Sequence, residues 1–208
     1  MKGVESYFIW DGDEIGAEYD ANGNVTDVLH RCNNLVRDSK GNNYAYDSHG
    51  SVTSILNDNG SKSKEYEYDA FGNIENETNA STYNPWQYCG EYTDQESGLI
   101  YLRNRYYDSE TGRFINEDTH WNVSNMIYGD PKDKENEKNN ESKIKYPDIN
   151  SIMQSTNLFN YCMSNPIIYT DKLGKLAKSD AGYDFNTTVA LVQLSINYNN
   201  ARLSNDKK

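Results

Sequence analysis

Tyr68-Asp69-Ala70-Phe71-Gly72-Asn73-Ile74 is the stretch whose reading decides the fold. It recurs as Tyr19-Asp20-Ala21-Asn22-Gly23-Asn24-Val25 and as Tyr46-Asp47-Ser48-His49-Gly50-Ser51-Val52. The common pattern is a Tyr-Asp pair, two free positions, Gly, Asn or Ser, then Val or Ile. An Asp carboxylate accepts from backbone N–H groups two residues on and starts a turn. Gly then takes φ > 0 without a Cβ clash. Val or Ile opens the next strand, and Tyr closes the previous one on a packed face. Such a strand-turn-strand unit cannot bury its own apolar face, so neighbouring units must stack.

Further turn signals lie between and beyond the repeats, at Asp11-Gly12, Lys40-Gly41, Asn59-Gly60, Ser97-Gly98 and Thr111-Gly112. The runs between them are short and strand-like, with alternation at Val52, Ser54 and Leu56 and at Tyr66 and Tyr68. Spacing of this kind predicts a mainly β chain, an antiparallel meander over residues 5–115. Within a polar insertion of about 122–150, the stretch from Gly129 to Lys143 holds no aliphatic or aromatic residue and reads as a solvated, mobile loop. A short helix is expected over Ile149 to Leu158. After Gly174 the one apolar patch, Val189 to Ile196, reads as a strand or a short amphipathic helix, and periodicity leaves both open.

Composition narrows the function. Tyrosine dominates the aromatics, 18 against 5 Phe and 3 Trp, and mean hydropathy is -0.94. A Tyr ring buries apolar area while its hydroxyl keeps a hydrogen bond, which suits thin, half-wet sheets. A net charge of -12 repels phosphate backbones and argues against nucleic acid as a partner of the shell. Cys32, Cys89 and Cys162 are too sparse for a disulfide framework and read as partly buried thiols. Neither a secretory signal nor a transmembrane run appears in this chain. The Asp11-Gly12-Asp13 stretch fails as a calcium loop, because Ile15 and Asn22 stand where ligands belong. His30, His49 and His120 lack metal-ligand spacing, and no P-loop, GxGxxG or GxSxG occurs. No cofactor and no metal are expected.

The repeat resembles the YD repeat of RHS proteins. Downstream, Gly90-Glu91-Tyr92, Ser97-Gly98-Leu99, Tyr101-Leu102-Arg103, Arg105-Tyr106-Tyr107-Asp108 and Thr111-Gly112-Arg113-Phe114 fall in the order of the RHS-repeat-associated core. So do Asn157-Leu158-Phe159-Asn160-Tyr161-Cys162 and Asn165-Pro166 through Asp171. The resemblance covers about residues 1–174. It implies a hollow β-shell around a variable C-terminal toxin, closed by a core that acts as a plug. In several relatives that core is an aspartyl autoprotease.

By the same resemblance Asp118 and Asp171 match the family's two aspartate positions; Arg113, close in sequence to Asp118, is the candidate to hold charge at the site. A carboxyl pair brought together shares a proton, one member serving as base for water and the other as acid. The chain departs from the family at Thr119 and Lys172, where Pro is usual, and at Lys175, where Leu is frequent.

The expected organisation is a shell segment at 1–82, a core at 83–174 and a variable tail at 175–208, a toxin tip or its remnant. The tail holds no histidine. The expected function is that of a shell fragment which encloses and presents a C-terminal toxin, with aspartyl self-cleavage. Its partners would be the rest of the shell, the toxin and an immunity protein, and the full-length protein would be secreted or at the cell surface. The first residues already read as strand, which suggests a truncated frame or a detached cassette. The rival reading is a surface or wall-associated carbohydrate-binding module.

Overall fold

A computed structural model describes residues 5–81, 83–130 and 147–179. The chain divides into residues 1–178 and 179–208, and the architecture below is that of the first unit. Val189 to Ile196 and most of the polar insertion lie outside the described residues.

Eight strands form one antiparallel sheet in chain order: β1 Ser6–Asp11, β2 Glu14–Asp20, β3 Val25–Arg31, β4 Leu35–Asp38, β5 Asn43–Tyr46, β6 Val52–Leu56, β7 Lys62–Tyr68 and β8 Ile74–Glu77. The order follows from the turns. At Asp20 the carboxylate accepts from the Asn22 and Asn24 N–H groups, both at 2.9 Å, and Gly23 N–H closes onto the Asp20 carbonyl at 3.0 Å. The same geometry stands at Asp47 and Asp69. It also stands at Asp38, where no Tyr precedes, and in backbone form at Asn57. The register shifts at Tyr19, Tyr46 and Tyr68, the residue before each repeat Asp. The extra residue lies on the following strand, Thr26, Thr53 or Glu75, and forms a β-bulge, which adds twist to the sheet.

One face of the sheet buries Ile15, Leu29, Leu35, Val52, Ile55, Tyr66 and Trp86. Tyrosines stitch the units together through their hydroxyls. Tyr46 donates to the Leu35 carbonyl at 2.6 Å and Tyr68 to the Val52 carbonyl at 2.9 Å. Each ring therefore lies on the apolar face of one unit while its hydroxyl occupies a carbonyl of the preceding one.

A second sheet follows, with β9 Tyr92–Thr93, β10 Ile100–Leu102, β11 Arg105–Asp108 and β12 Arg113–Phe114 in the order β12-β11-β10-β9. Its core holds Tyr88, Cys89, Ile100, Leu102, Tyr107, Phe114, Tyr161 and Cys162. Tyr107 and Tyr161 are fully enclosed, their ring centroids 4.1 Å apart. The segment before β9 joins the two sheets: Val52 N–H donates to the Gln87 carbonyl and Cys89 N–H to the Ser51 hydroxyl, both at 3.0 Å.

Helix α1, Ile149–Ser155, is capped by Asp148, whose carboxylate accepts from Asn150 and Ser151 N–H. It ends three residues short of the expected Leu158, with Thr156 as its C-cap, and the Leu158 carbonyl accepts from Asp118 N–H at 2.9 Å and from Arg105. The Asp148 N–H donates to the Ile127 carbonyl at 2.7 Å, and the Ser155 hydroxyl to the Met126 carbonyl at 3.2 Å. A further short strand, β13 Tyr169–Thr170, leads into Asp171. The cysteines differ from the expected pattern: Cys89 and Cys162 are fully buried, while Cys32 is exposed. Cys32 stands in the turn after β3, outside both cores.

Candidate functional site

Asp118 and Asp171, 53 positions apart in sequence (118 to 171), meet over one guanidinium, and that guanidinium belongs to Arg105. Arg105 Nη2 stands 3.0 Å from Asp118 Oδ2 and 3.1 Å from Asp171 Oδ2. Its Nη1 donates to the Leu158 carbonyl at 3.0 Å and its Nε to the Gly174 carbonyl at 2.6 Å. The guanidinium lies 3.4 Å above the Phe114 ring. All three charged side chains are buried, each no more than 5% exposed.

Arg113 stands elsewhere. It pairs with Asp108 across β11 and β12, is exposed, and donates to the Asn157 side chain at 3.2 Å. The strand parity explains the difference. Along β11, Arg105 and Tyr107 point inward and Tyr106 points out, so Arg105 shares the buried face with the core tyrosine. Nearness in sequence to Asp118 put Arg113 forward; alternation along Arg105-Tyr106-Tyr107 is the signal that finds Arg105.

Each aspartate has one oxygen on Arg105 and one on the backbone. Asp118 Oδ1 accepts from His120 N–H at 2.8 Å. Asp171 Oδ1 accepts from Lys175 N–H at 2.9 Å and Leu176 N–H at 3.2 Å. Burial pushes both carboxyl pKa values above the ordinary aspartate range, and for Asp118 the neighbouring Asp171 charge adds to it; Arg105 and the backbone donors pull the other way. Burial lowers the guanidinium pKa while the two aspartates raise it. One buried cation balances one carboxylate, not two. The arrangement therefore favours a carboxyl pair holding a single proton. A small cavity opens against Asp118, Asp171, Trp121 and Gln154.

A second charged cluster flanks the first. Arg103 lies between Glu91 and Glu14, at 2.5 Å from Glu14 Oε1 and in direct contact with Glu91. Burial pushes the Glu91 pKa up to about 7, against the pull of Arg103. Arg31 reaches Glu14 Oε2 at 3.3 Å and stacks on Trp86 at 4.5 Å. This network joins the start of the large sheet to the second sheet. Among the described residues, no group of three or more His, Cys, Asp or Glu side chains is placed to hold a metal ion. Among the same residues, no helix is long and apolar enough to cross a membrane.

The teneurin YD-shell family model matches residues 18–167. The chain belongs to that family. It is an RHS/YD-repeat shell segment, and its sheet is the stacked product of that repeat. The YD-shell chain is 34% identical over 125 residues to the tRNA nuclease WapA of Bacillus subtilis, covering 55% of this chain and 5% of that protein. It is 41% identical over 56 residues to the double-stranded DNA deaminase toxin A of Burkholderia cenocepacia, covering 25% of this chain and 4% of that one. The chain thus spans about one twentieth of the length of these relatives. Its fold is similar to part of the Photorhabdus luminescens Tc holotoxin pore, with a TM-score of 0.50 at 16% identity over 86% of this chain and 9% of that one.

Proposed function

We propose that this YD-shell segment closes a shell around a C-terminal toxic segment and cuts that segment free by aspartyl self-cleavage at the Gly174–Lys175 bond. One observation carries the reading: Arg105, the cation between the two carboxyls, and Asp171, one of the pair, hold the two sides of that bond. Arg105 Nε holds the Gly174 carbonyl at 2.6 Å, and Asp171 Oδ1 holds the Lys175 N–H at 2.9 Å. Relatives of the chain are named as a nuclease and a toxin, which supports a payload after the core.

The step needs only water. Asp118, facing the cavity, takes a proton as water attacks the Gly174 carbonyl carbon. Arg105 stabilises the developing oxyanion. The C–N bond breaks as the Lys175 nitrogen takes the single proton held by the carboxyl pair, and the proton that Asp118 took from water replaces it. The products are a Gly174 carboxylate and a Lys175 amine. The partners on this reading are the remaining shell, the released segment and an immunity protein, and the complete protein acts outside the cell or at its surface.

Intact-mass spectrometry tests this directly. The wild type should shed residues 175–208, roughly 4 kDa in proportion to 34 residues of a 208-residue, 23.8 kDa chain. Asp118→Asn and Asp171→Asn should each stay whole. Glu110→Gln, on the exposed turn after β11, should cut as the wild type does. A wild type that stays whole from pH 4 to 8 refutes cleavage.

A carbohydrate-binding role has one observation of its own. Trp10, Tyr101 and Tyr106 form a surface aromatic ladder, with centroids 5.7 and 5.3 Å apart. Saccharide retention on a glycan array, lost in Trp10→Ala, would favour that role.

A further inference from the structure

The peptide leading through the proposed cut is gripped along its whole length. Three consecutive side chains of the β10–β11 turn hold three consecutive carbonyls. Arg103 Nη1 donates to the Lys172 carbonyl at 2.9 Å, Asn104 Nδ2 to the Leu173 carbonyl at 2.7 Å, and Arg105 Nε to the Gly174 carbonyl at 2.6 Å. Gly174 is pressed against the same turn: a Cβ there would lie 2.5 Å from the Leu102 carbonyl oxygen, at φ +62°. On the far side of the bond, Gln154 of α1 reads the backbone of Ala177 from both sides. Its Oε1 accepts from Ala177 N–H at 2.8 Å and its Nε2 donates to the Ala177 carbonyl at 3.5 Å.

We propose that Arg103, Asn104 and Gln154 are positioning residues that set which peptide bond lies across the aspartate pair. Resting on the cleavage reading above, the proposal assigns the register to groups that are not acids or bases. On the peptide from Lys172 to Ala177 these side chains engage main-chain atoms alone, so they grip it whatever its side chains are. Three turn side chains matched to three carbonyls fix the chain at one-residue precision. Gln154 fixes it again two residues beyond Lys175. Between these grips Asp171 accepts from the Lys175 and Leu176 N–H groups, and of these two bonds Gly174–Lys175 is the one whose carbonyl is also held, by Arg105. Holding a reacting bond in place is a large share of catalysis, since a displacement of about 1 Å costs up to 10²-fold in rate.

Asn104→Ala and Gln154→Ala test this with the full chain. Arg103 is unsuited, because it also carries the Glu14 and Glu91 ion pairs. The cut is mapped by intact mass and by N-terminal sequencing of the released piece. Both variants should cut roughly tenfold or more slowly and scatter the cut onto neighbouring bonds, with thermal melting unchanged. A residue that only stabilises the fold would slow the cut without moving it. In the Asp118→Asn background, Gln154→Ala should also speed hydrogen exchange at the Ala177 amide. A single cut at the wild-type bond and rate in both variants overturns the proposal while leaving the cleavage reading intact. A wild type that never cuts overturns the cleavage reading and takes the register with it.

Discussion

Gly72 and Gly23 occupy the same position of the repeat, yet replacing them with Ala should have unequal consequences. Both hold positive φ, +92° and +82°. An L side chain in that region costs roughly 1–2 kcal/mol, so each substitution begins with the same conformational loss. The surroundings then differ. A Cβ on Gly23 meets nothing within 4 Å, whereas a Cβ on Gly72 would stand 2.5–2.8 Å from three ring atoms of Tyr88. Tyr88 cannot swing away freely. It is buried at 3% exposure, its hydroxyl donates to the Ala70 carbonyl at 3.0 Å, and its ring stacks on Tyr107. Overpacking of this kind adds about 1–3 kcal/mol. Gly72→Ala should therefore destabilise the chain by about 2–5 kcal/mol and Gly23→Ala by about 1–2 kcal/mol. At a urea dependence of about 2 kcal/mol per M, the two midpoints should separate by about 1 M. Urea titration followed by Trp fluorescence reads this, because Trp86 is buried in the neighbouring core. A Gly72→Ala, Tyr88→Leu double variant should recover part of the excess, as coupled neighbours do. Equal midpoints for Gly72→Ala and Gly23→Ala would refute the reasoning, and with it the close fit of Tyr88 over the third repeat.

Arg105→Met should destabilise the chain by about 3–5 kcal/mol, since it strands two buried carboxyls, and should abolish the cut. Arg113→Ala should stay within about 0.5 kcal/mol of wild type and cut normally; urea titration and intact mass compare the two. Glu91 gives a pH dependence with a defined sign. Its folded pKa, about 7, stands above the ordinary glutamate value, so its contribution is full in acid and lost as pH rises through about 7. The melting temperature should fall from pH 5 to pH 8, the Glu91 share being up to about 3 kcal/mol, and Glu91→Gln should flatten that slope. Asp20 and Asp69 act oppositely. Side-chain and backbone hydrogen bonds from Asn24 hold the Asp20 pKa low, and those from Asn73 and Phe71 outweigh the opposing effect of burial at Asp69. Their turns should loosen below about pH 4, seen as faster amide exchange at Asn24 and Asn73.

The sheet was legible because the repeat encodes its own turns. Asp, Gly and Asn at fixed offsets satisfy the backbone locally, so no distant contact is needed to predict a hairpin at Asp20, Asp47 or Asp69. Asp38-Ser39-Lys40-Gly41-Asn42 carries the same offsets without the leading Tyr, and it folds the same way. The two aspartates were found through motif order. The cation between them was not, because the choice rested on sequence distance, while the fold selects by strand face. Nothing local marks Gln154 either. It becomes informative only when α1 packs beside Ala177, a contact between residues 23 positions apart.

The ends of the polar insertion are tied together where Asp148 N–H meets the Ile127 carbonyl and the Ser155 hydroxyl meets the Met126 carbonyl. A segment whose two ends are fastened this way can change length at little cost, about 0.6 kcal/mol for each doubling. Asp118 and Asp171 both lie outside the fastening in sequence, one before Met126 and the other after Ser155. An epitope or affinity handle inserted in the sequence between Ile127 and Asp148 should therefore leave the contacts of both aspartates with Arg105 in place.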